Sequence, residues 1–241
     1  MTGEETVPSQ QRRIMGVFAH PDDPEFFAGG TFARWAAGGA HITLVLATSG
    51  DKGSADPEMT SERLVEIREA EERAAAQALG VTEVIFLRYR DGELQPDLRL
   101  RRDVTRLIRL KQPEIVVTTD PSVFWYEGRG VNHPDHRAIG EAVLDAVYPA
   151  ARDRLNFIEL ERDEGLQPHK VSQLYIAGTA SPNVHIDITD FVETKIASLR
   201  HHRSQIADME AMAERMRTRL DPTAPGDAPR LIESFRVITF T

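Results

Sequence analysis

Two short clusters of histidine and carboxylate residues are the parts of this sequence that could do chemistry. They are HPDDPE at 20–25 and HPDH at 133–136. Imidazole and carboxylate groups can supply three ligands to Zn²⁺ and leave the fourth position for water, as a catalytic zinc site requires. A further carboxylate beside the metal can take a proton from that water, and a histidine can serve the leaving group. The two clusters therefore predict metal-assisted hydrolysis.

Each residue type in the clusters suits one role in such a site. We predict that His20, Asp23 and His136 are the metal ligands, because two neutral imidazoles and one carboxylate leave the site net positive and so favour ionisation of the bound water. Adjacent aspartates point in different directions, so Asp22 is free to act as the general base. His133 is the predicted acid or oxyanion partner.

The histidines and carboxylates of this sequence also allow less specific interpretations. A lone His-Pro-Asp tripeptide is usually a turn, and only the presence of two such clusters favours a metal site. Glu25 could be catalytic, but a glutamate in the first turn of a helix more often interacts with the helix dipole or orients a metal ligand, and we predict the orienting role. The remaining histidines are predicted to be solvated or structural: His41, His169, His185, His201 and His202.

The elements around the clusters must bring them together. Four nearly continuous apolar segments, at 14–19, 42–48, 83–87 and 114–119, alternate with helical patterns at 25–37, 60–79, 98–111 and 134–147. Strands of this kind predict a parallel sheet covered on both faces, with right-handed crossovers. The fold class is therefore α/β, a single doubly wound (Rossmann-like) domain. In the common strand order 3-2-1-4, the first and fourth strands are neighbours, and the clusters meet at their carboxyl ends.

The ends of the helices and the second half of the chain are less regular. Asp23 and His133 are the predicted N-caps of the helices that follow the two clusters, each with a proline at the first helical position. Strands are predicted at 173–177, 184–188 and 235–240, with one long helix at 191–220. The stretch 221–229 (DPTAPGDAP) has the composition of a loop.

Composition limits the possible classes of function. The 241 residues (27.0 kDa) carry a net charge of −9, which disfavours nucleic acid and anionic membranes as partners. The absence of cysteine excludes thiolate nucleophiles and cysteine-ligated zinc. No segment has the length of a membrane span or the pattern of a signal peptide. We expect a cytoplasmic protein with a disordered tail at 1–13 and a single domain at 14–241.

The first cluster and its surroundings also resemble a known family. AHPDDPE at 19–25 resembles the AHPDDxE signature of the LmbE-like, or PIG-L, family of zinc-dependent N-deacetylases, whereas the GxGxxG, GxxxxGK[ST] and GxSxG signatures are missing. Further segments match in the family's order: Gly30-Thr31, ATSGDKG at 47–53, Ile67-Arg68-Glu69, ALGV at 78–81, FLRYRDGEL at 86–94, NHPDH at 132–136, Asp187-Ile188-Thr189, Lys195 and HRSQ at 202–205.

This resemblance implies removal of an N-acetyl group from an N-acetylglucosamine conjugate, with one zinc ion per chain. It assigns the same roles to the two clusters as the residue types do, and it places Arg68 and Asp91 at the sugar site, with Asn132 as a weaker candidate for substrate contact. Fe²⁺ or Co²⁺ could replace zinc at a site of this kind. Relatives are often oligomers, so a homo-oligomer is expected.

Two other functions remain open from the sequence. One is a zinc amidase that acts on a larger thiol or antibiotic conjugate, and the other is a non-catalytic protein that binds a sugar or a metal. A binder needs no base, so the presence of Asp22 and His133 argues against the second. The loop at 120–133 contains Phe124, Trp125 and Tyr126, which predict either a substrate lid or an oligomer interface.

Overall fold

A mixed sheet of seven strands forms the centre of the computed structural model, which describes residues 12–126, 128, 130–218, 220 and 230–240. Its strand order is β3-β2-β1-β4-β7-β9-β8. The first five strands of this order are parallel, and β9 runs antiparallel to both β7 and β8. The predicted order 3-2-1-4 is therefore confirmed. The strands are β1 (Arg13–Phe18), β2 (His41–Thr48), β3 (Glu83–Tyr89), β4 (Ile115–Thr119), β7 (Gln173–Ala177), β8 (Val184–Asp187) and β9 (Ile232–Thr239); β5 (Trp125–Tyr126) and β6 (Gly130–Val131) form a separate hairpin.

Helices cover both faces of the sheet. They are α1 (Asp23–Ala37), α2 (Ser61–Ala78), α3 (Leu98–Lys111), α4 (Pro134–Asp145), α5 (Ile158–Glu164), α6 (Val192–Leu199) and α7 (Met209–Arg217). The side chains of β1 alternate between two apolar cores, with Ile14 and Phe18 in one and Met15 and Val17 in the other. Burial on both faces explains why the strands are apolar almost throughout. None of the helices within the described ranges is both long enough and apolar enough to cross a membrane.

The prediction of a single long helix at 191–220 is wrong. The chain instead forms a short 3₁₀ turn at Thr189–Phe191, then α6, then an irregular segment before α7. Asp208 begins α7, where its side chain accepts a hydrogen bond from the amide of Ala211 (2.9 Å). In the irregular segment His202 turns into the protein interior and is 1% exposed. A buried polar contact has therefore overridden a sequence of good helix-forming residues. The first eleven residues of the predicted tail and the predicted loop at 221–229 lie outside the described residues.

A buried ion pair fixes the course of α1. The helix is interrupted at Ala28 (φ −145°, ψ 15°), which leaves the amides of Gly30 and Thr31 without helical partners. Both amides donate to the carboxylate of Glu233 on β9, at 3.0 and 2.8 Å. The Lys195 ammonium in turn donates to Glu233 at 2.6 Å, and both side chains are 2% exposed. The strand β9 and α6 thereby hold the helix that begins at Asp23, directly after Asp22.

Replacement of Lys195 by Met should destabilise the fold by about 3–5 kcal/mol, because it leaves the Glu233 carboxylate buried without its counter-charge. Chemical denaturation would measure this. Arg217→Met is the matched control, because Arg217 pairs with Glu193 on the same helix as Lys195 but at the surface, and the loss of an exposed pair costs about 0–1 kcal/mol. Equal unfolding free energies for the two variants would contradict the prediction.

Candidate active site

The two histidine–carboxylate clusters meet at one edge of the sheet. His20 lies just beyond the carboxyl end of β1, and the loop after β4 leads to His133 and His136 at the start of α4. Because β1 and β4 are hydrogen-bonded neighbours, the ring of His20 lies 4.6 Å from that of His133 and 5.3 Å from that of His136, between centroids. The parallel topology therefore brings together residues that are far apart along the chain.

Three side chains here form a set that could hold a metal ion. The candidate ligand atoms of His20, Asp23 and His136 all lie within 4.8 Å of one another. Asp23 Oδ1 is 3.0 Å from His136 Nε2, and Asp23 Oδ2 is 3.4 Å from His20 Nδ1. Although burial alone would raise it, the two histidines hold the pKa of Asp23 well below its usual range. An ionised carboxylate between two imidazoles is a donor set that fits Zn²⁺ or a similar divalent ion.

The second ring nitrogen of His20 faces two other carboxylates. Its Nε2 lies 3.1 Å from Asp91 Oδ1 and 3.2 Å from Asp135 Oδ2. His20, Asp91 and His133 form a second set whose candidate ligand atoms lie within 4.8 Å of one another. With Nδ1 directed towards Asp23, Nε2–H is left to donate to a carboxylate, which is the usual arrangement behind a metal-ligating histidine. The resemblance places Asp91 at the sugar site. In the structure its carboxylate faces His20, and the residue is only 7% exposed.

Asp135 is a site residue that the sequence analysis did not single out. It is fully buried, and its carboxylate accepts the amides of Gly92 (2.7 Å) and Leu94 (3.2 Å) in addition to facing His20. It thus ties the loop after β3 to the first turn of α4. Its position between the two histidines of the HPDH segment was the available signal, because a carboxylate that accepts a hydrogen bond from an imidazole fixes the orientation of that ring.

Asp22, the predicted base, occupies a strained backbone position. Its φ of 95° lies in the left-handed region, which is costly for a residue with a side chain. Asp22, and not Asp23 as predicted, is the N-cap residue of α1, because the Asp23 carboxylate accepts the amide of His20 (2.8 Å) instead of capping the helix. The Asp22 amide donates to Glu72 Oε2 (3.1 Å). Burial and the neighbouring Asp23 raise the pKa of Asp22 to about 6, against the opposing effect of Arg68.

Arg68 contacts the predicted base directly. Its guanidinium donates to Asp22 Oδ2 (3.3 Å), to the carbonyl of Pro21 (2.6 Å) and to the carbonyl of Gly50 (3.2 Å), and the residue is 4% exposed. Gly50 makes this approach possible. A Cβ atom on Gly50 would lie 2.1 Å from Arg68 Nη1 and 2.3 Å from Cζ. The structure therefore places Arg68 against Asp22, the predicted base, and against the loop after β2.

Replacement of Gly50 by Ala should displace Arg68 and lower turnover by up to about 100-fold, because a displacement of about 1 Å in a positioning group can cost that much. Metal content should not change. Gly165→Ala is the matched control: Gly165 has a similar φ (+72° against +67°), but its Cβ would meet nothing within 4 Å. Activity assays on both variants would separate backbone strain from the clash, and equal activities would contradict the prediction.

The hydrogen bonds of His133 determine its tautomer. His133 is the N-cap of α4, as predicted, and its Nδ1 accepts the amide of Asp135 (3.2 Å). Burial and the nearby His20 lower the pKa of His133, which favours the neutral ring. A neutral imidazole that accepts at Nδ1 carries its proton on Nε2. His133 can therefore donate a hydrogen bond into the site.

Asn132 orients His136 from behind. Its Oδ1 lies 3.0 Å from His136 Nδ1, and its Nδ2 donates to the carbonyl of Val123 (2.7 Å). Asn132 is 2% exposed. With Nδ1–H donated to this amide, His136 Nε2 is left to face Asp23. The geometry favours a positioning role for Asn132 over the substrate contact that the resemblance suggested.

A buried carboxylate pair lies behind Asp22, the predicted base. Glu25, predicted to orient the ligands, and Glu72 are both fully buried, and His202 Nε2 lies 3.2 Å from Glu25 Oε2 and 3.8 Å from Glu72 Oε2. Burial, followed by the charges of Asp22 and Asp23, raises the pKa of Glu25 to about 8. Burial and Glu25 raise the pKa of Glu72 well above its usual range. His202 therefore supplies a donor to this pair, whereas His201 is exposed as predicted.

The aromatic loop after β4 is only partly exposed. Phe124 (55% exposed) stacks under the guanidinium of Arg137, and Trp125 is 69% exposed. Tyr126 is turned inward, and a Cβ atom on Gly178 would lie 3.0 Å from its hydroxyl. The loop at 120–133 remains a predicted lid or interface, and Glu127 and Arg129 lie outside the described residues.

The sequence of this chain is similar to those of known deacetylases. Residues 15–147 match the family described as GlcNAc-PI de-N-acetylase (PIG-L). The chain is 33% identical over 199 residues to the diacetylchitobiose deacetylase of Thermococcus kodakarensis, covering 82% of this chain and 71% of the relative. It is 30% identical over 203 residues to a Bacillus anthracis protein described as a probable N-acetyl-alpha-D-glucosaminyl L-malate deacetylase 2, covering 82% of this chain and 83% of that one.

A solved structure is similar over nearly the whole chain. It is the N,N'-diacetylchitobiose deacetylase from Pyrococcus horikoshii in complex with an inhibitor, with a TM-score of 0.81 and 31% sequence identity. The alignment covers 95% of this chain and 84% of that one. The similarity therefore extends beyond the family match at 15–147 to the C-terminal strands and helices.

Proposed function

Because this chain belongs to the GlcNAc-PI de-N-acetylase (PIG-L) family, we propose that it is a metal-dependent hydrolase that removes the N-acetyl group from an N-acetylglucosamine-type conjugate and releases acetate and a free amine. The observation that carries this proposal is the convergence of His20, Asp23 and His136 with Asp22 and His133 at one sheet edge. A binding protein would need the ligands but not the base.

His20, Asp23 and His136 would hold the ion, for which we propose zinc, with Fe²⁺ or Co²⁺ as substitutes. When bound, such an ion polarises the acetyl carbonyl and lowers the pKa of an attacking water. Asp135 and Asn132 keep the imidazoles of His20 and His136 in the orientations that direct their ligating nitrogens at Asp23. The protein's contribution to the metal site is thus the orientation of these two rings.

The remaining groups move protons and bind charge. Asp22 takes one proton from the attacking water, and the remaining hydroxyl adds to the acetyl carbon. The Nε2–H of His133 donates to the carbonyl oxygen as negative charge develops there. When the C–N bond breaks, the proton held by Asp22 passes to the departing nitrogen, which leaves as the free amine. Arg68 and Glu72 hold the side chain and the backbone of Asp22 in place during both transfers.

An acetate-release assay with the metal-saturated protein tests the proposal. The panel is N-acetylglucosamine, diacetylchitobiose and N-acetylglucosaminyl malate, the last two taken from the names of the relatives. We expect release from at least one, at a rate at least about 100-fold above that of the Asp22→Asn protein purified in parallel. Release of a larger acyl group without acetate would favour the amidase, and binding without release would favour a non-catalytic protein.

Sedimentation of the same preparation would test the expected homo-oligomer, and the cytoplasmic location remains an expectation.

A further inference from the structure

A cavity of about 780 Å³ lies beside the candidate active site. It is partly open to solvent and is lined by the first turns of α1, the aromatic hairpin formed by β5 and β6, the segment after β7, α7 and β9. Small-molecule sites commonly measure about 300–1,000 Å³. The residues that matter for its chemistry are Phe26, Phe27, Tyr126, Gly178, Arg215 and Met216. The size of the cavity suits a substituent of a substrate better than a solvent molecule.

The cavity shares a wall with the predicted metal site. The ring of Phe27 lines the cavity and lies edge-on to the ring of His136, with 5.7 Å between centroids. Tyr126 lies next to Phe27 in this wall, because the Tyr126 hydroxyl and the Phe27 ring both lie close to Gly178. A substrate whose acetamide lies at His20 and His136 would therefore extend towards this cavity.

The walls of the cavity combine apolar side chains with polar ones, which include the hydroxyls of Thr179, Thr218 and Ser234 as well as Tyr126 and Arg215. Phe26, Phe27 and Met216 present rings and a thioether. Glu233 also lines the cavity, but its carboxylate is already bonded to Lys195 and to two amides. Within the described part of the chain, the Tyr126 hydroxyl and the Arg215 guanidinium lack hydrogen-bonding partners. A donor hydroxyl and a cation above apolar rings suit a ring-shaped group with an anionic substituent.

Gly178 determines the width of the cavity. A Cβ atom on this residue would lie 2.8 Å from Phe27 Cε1 and 3.0 Å from the Tyr126 hydroxyl. Its φ of +68° is also one that glycine adopts at little cost. The absence of a side chain therefore keeps Phe27 and Tyr126 apart at the side of the cavity that faces the active site.

We propose that this cavity is the subsite for the group attached to the acetylated sugar, and that it prefers a ring-sized group bearing a carboxylate or a phosphate, held by Arg215 and Tyr126. This inference rests on the proposed deacetylase function. It identifies the aglycone, and not the sugar itself, as the part of the substrate that this chain selects through α7 and the aromatic hairpin.

The test compares three N-acetylglucosaminides, each as both anomers: methyl, phenyl and 4-carboxyphenyl. For the wild-type protein we expect kcat/KM to rise from methyl to phenyl to carboxyphenyl, the last step being about two- to fivefold, as for an exposed ion pair. In Arg215→Gln the ratio of carboxyphenyl to phenyl should fall to about one. Arg203→Gln is the matched control, because Arg203 is an exposed arginine that does not line the cavity, and the ratio should persist there.

Two further measurements test whether charge and the width of the cavity determine the preference among the three glycosides. The carboxyphenyl preference of the wild-type protein should shrink at about 0.5 M salt, because exposed charges are screened. Gly178→Ala should lower kcat/KM more for the phenyl glycosides than for the methyl glycoside. Equal kcat/KM for the phenyl and carboxyphenyl compounds, or an unchanged ratio in Arg215→Gln, would overturn the proposal while leaving the deacetylase function standing.

The subsite can also be judged if the proposed function fails. If none of the three glycosides releases acetate, the deacetylase proposal fails for these sugars. Calorimetric binding of the same compounds to the metal-loaded protein then gives the answer. Tighter binding of the carboxyphenyl compound, lost in Arg215→Gln and retained in Arg203→Gln, would support the subsite, and equal binding of all three would overturn it.

Discussion

Replacement of Asp22 by Asn should lower the rate of deacetylation by about 10²–10⁴-fold, because an amide cannot take the proton from the attacking water. The metal content should remain that of the wild type, since Asp22 faces Arg68 and not the His20–Asp23–His136 set. The same substitution keeps the size of the side chain, so the left-handed backbone held by Glu72 should persist.

Steady-state kinetics and metal analysis of the same preparation would check this expectation. Asp190→Asn is the control, because it removes one negative charge from an exposed residue of the 3₁₀ turn before α6. A fall in kcat with little change in KM is expected for Asp22→Asn, since the base acts in the transition state. Activity near that of the Asp190 variant would exclude Asp22 as the base.

Loss of metal is the expected result of His136→Ala. A three-ligand set that loses one imidazole retains only His20 and Asp23, and the carboxylate of Asp23 loses the group 3.0 Å from its Oδ1. Elemental analysis after dialysis should then show little bound metal, and activity should be lost with it. The fold should survive, because His136 is only partly buried and lies at the end of a helix.

His41→Ala supplies the control for this prediction. His41 begins β2 at the opposite edge of the sheet and is exposed, so its loss should leave metal content and activity unchanged. Circular dichroism and thermal unfolding of both variants would show that any loss of metal is not a loss of structure. Full metal occupancy in the His136 variant would overturn the ligand assignment and favour the neighbouring set formed by His20, Asp91 and His133.

Local patterns in the sequence determined the elements and the layout of the sheet. The apolar runs predicted β1 to β4, because burial on both faces leaves a signal in every residue of a strand. The common doubly wound topology supplied their order, which the structure confirms. His20 follows β1, and His133 follows β4 after a loop, which was sufficient to predict that they meet, since parallel neighbours end at the same edge. His133 was also predicted correctly as an N-cap, because that preference depends on adjacent residues alone.

The tertiary structure alone decided how each site residue is held. Nothing near Glu72 in the sequence distinguishes it from other acidic residues, yet it binds the Asp22 amide. The HPDH segment marks Asp135, but only the fold shows that its carboxylate binds two amides beside His20. The predicted helix at 191–220 failed for the same reason, because the turn of His202 towards Glu25 depends on a partner 177 residues away. Helix propensity and spacing are properties of neighbouring residues. Burial removes water from a carboxylate or an imidazole, and protein groups must replace the lost hydrogen bonds. Which groups lie close enough to do so is known only once the chain has packed.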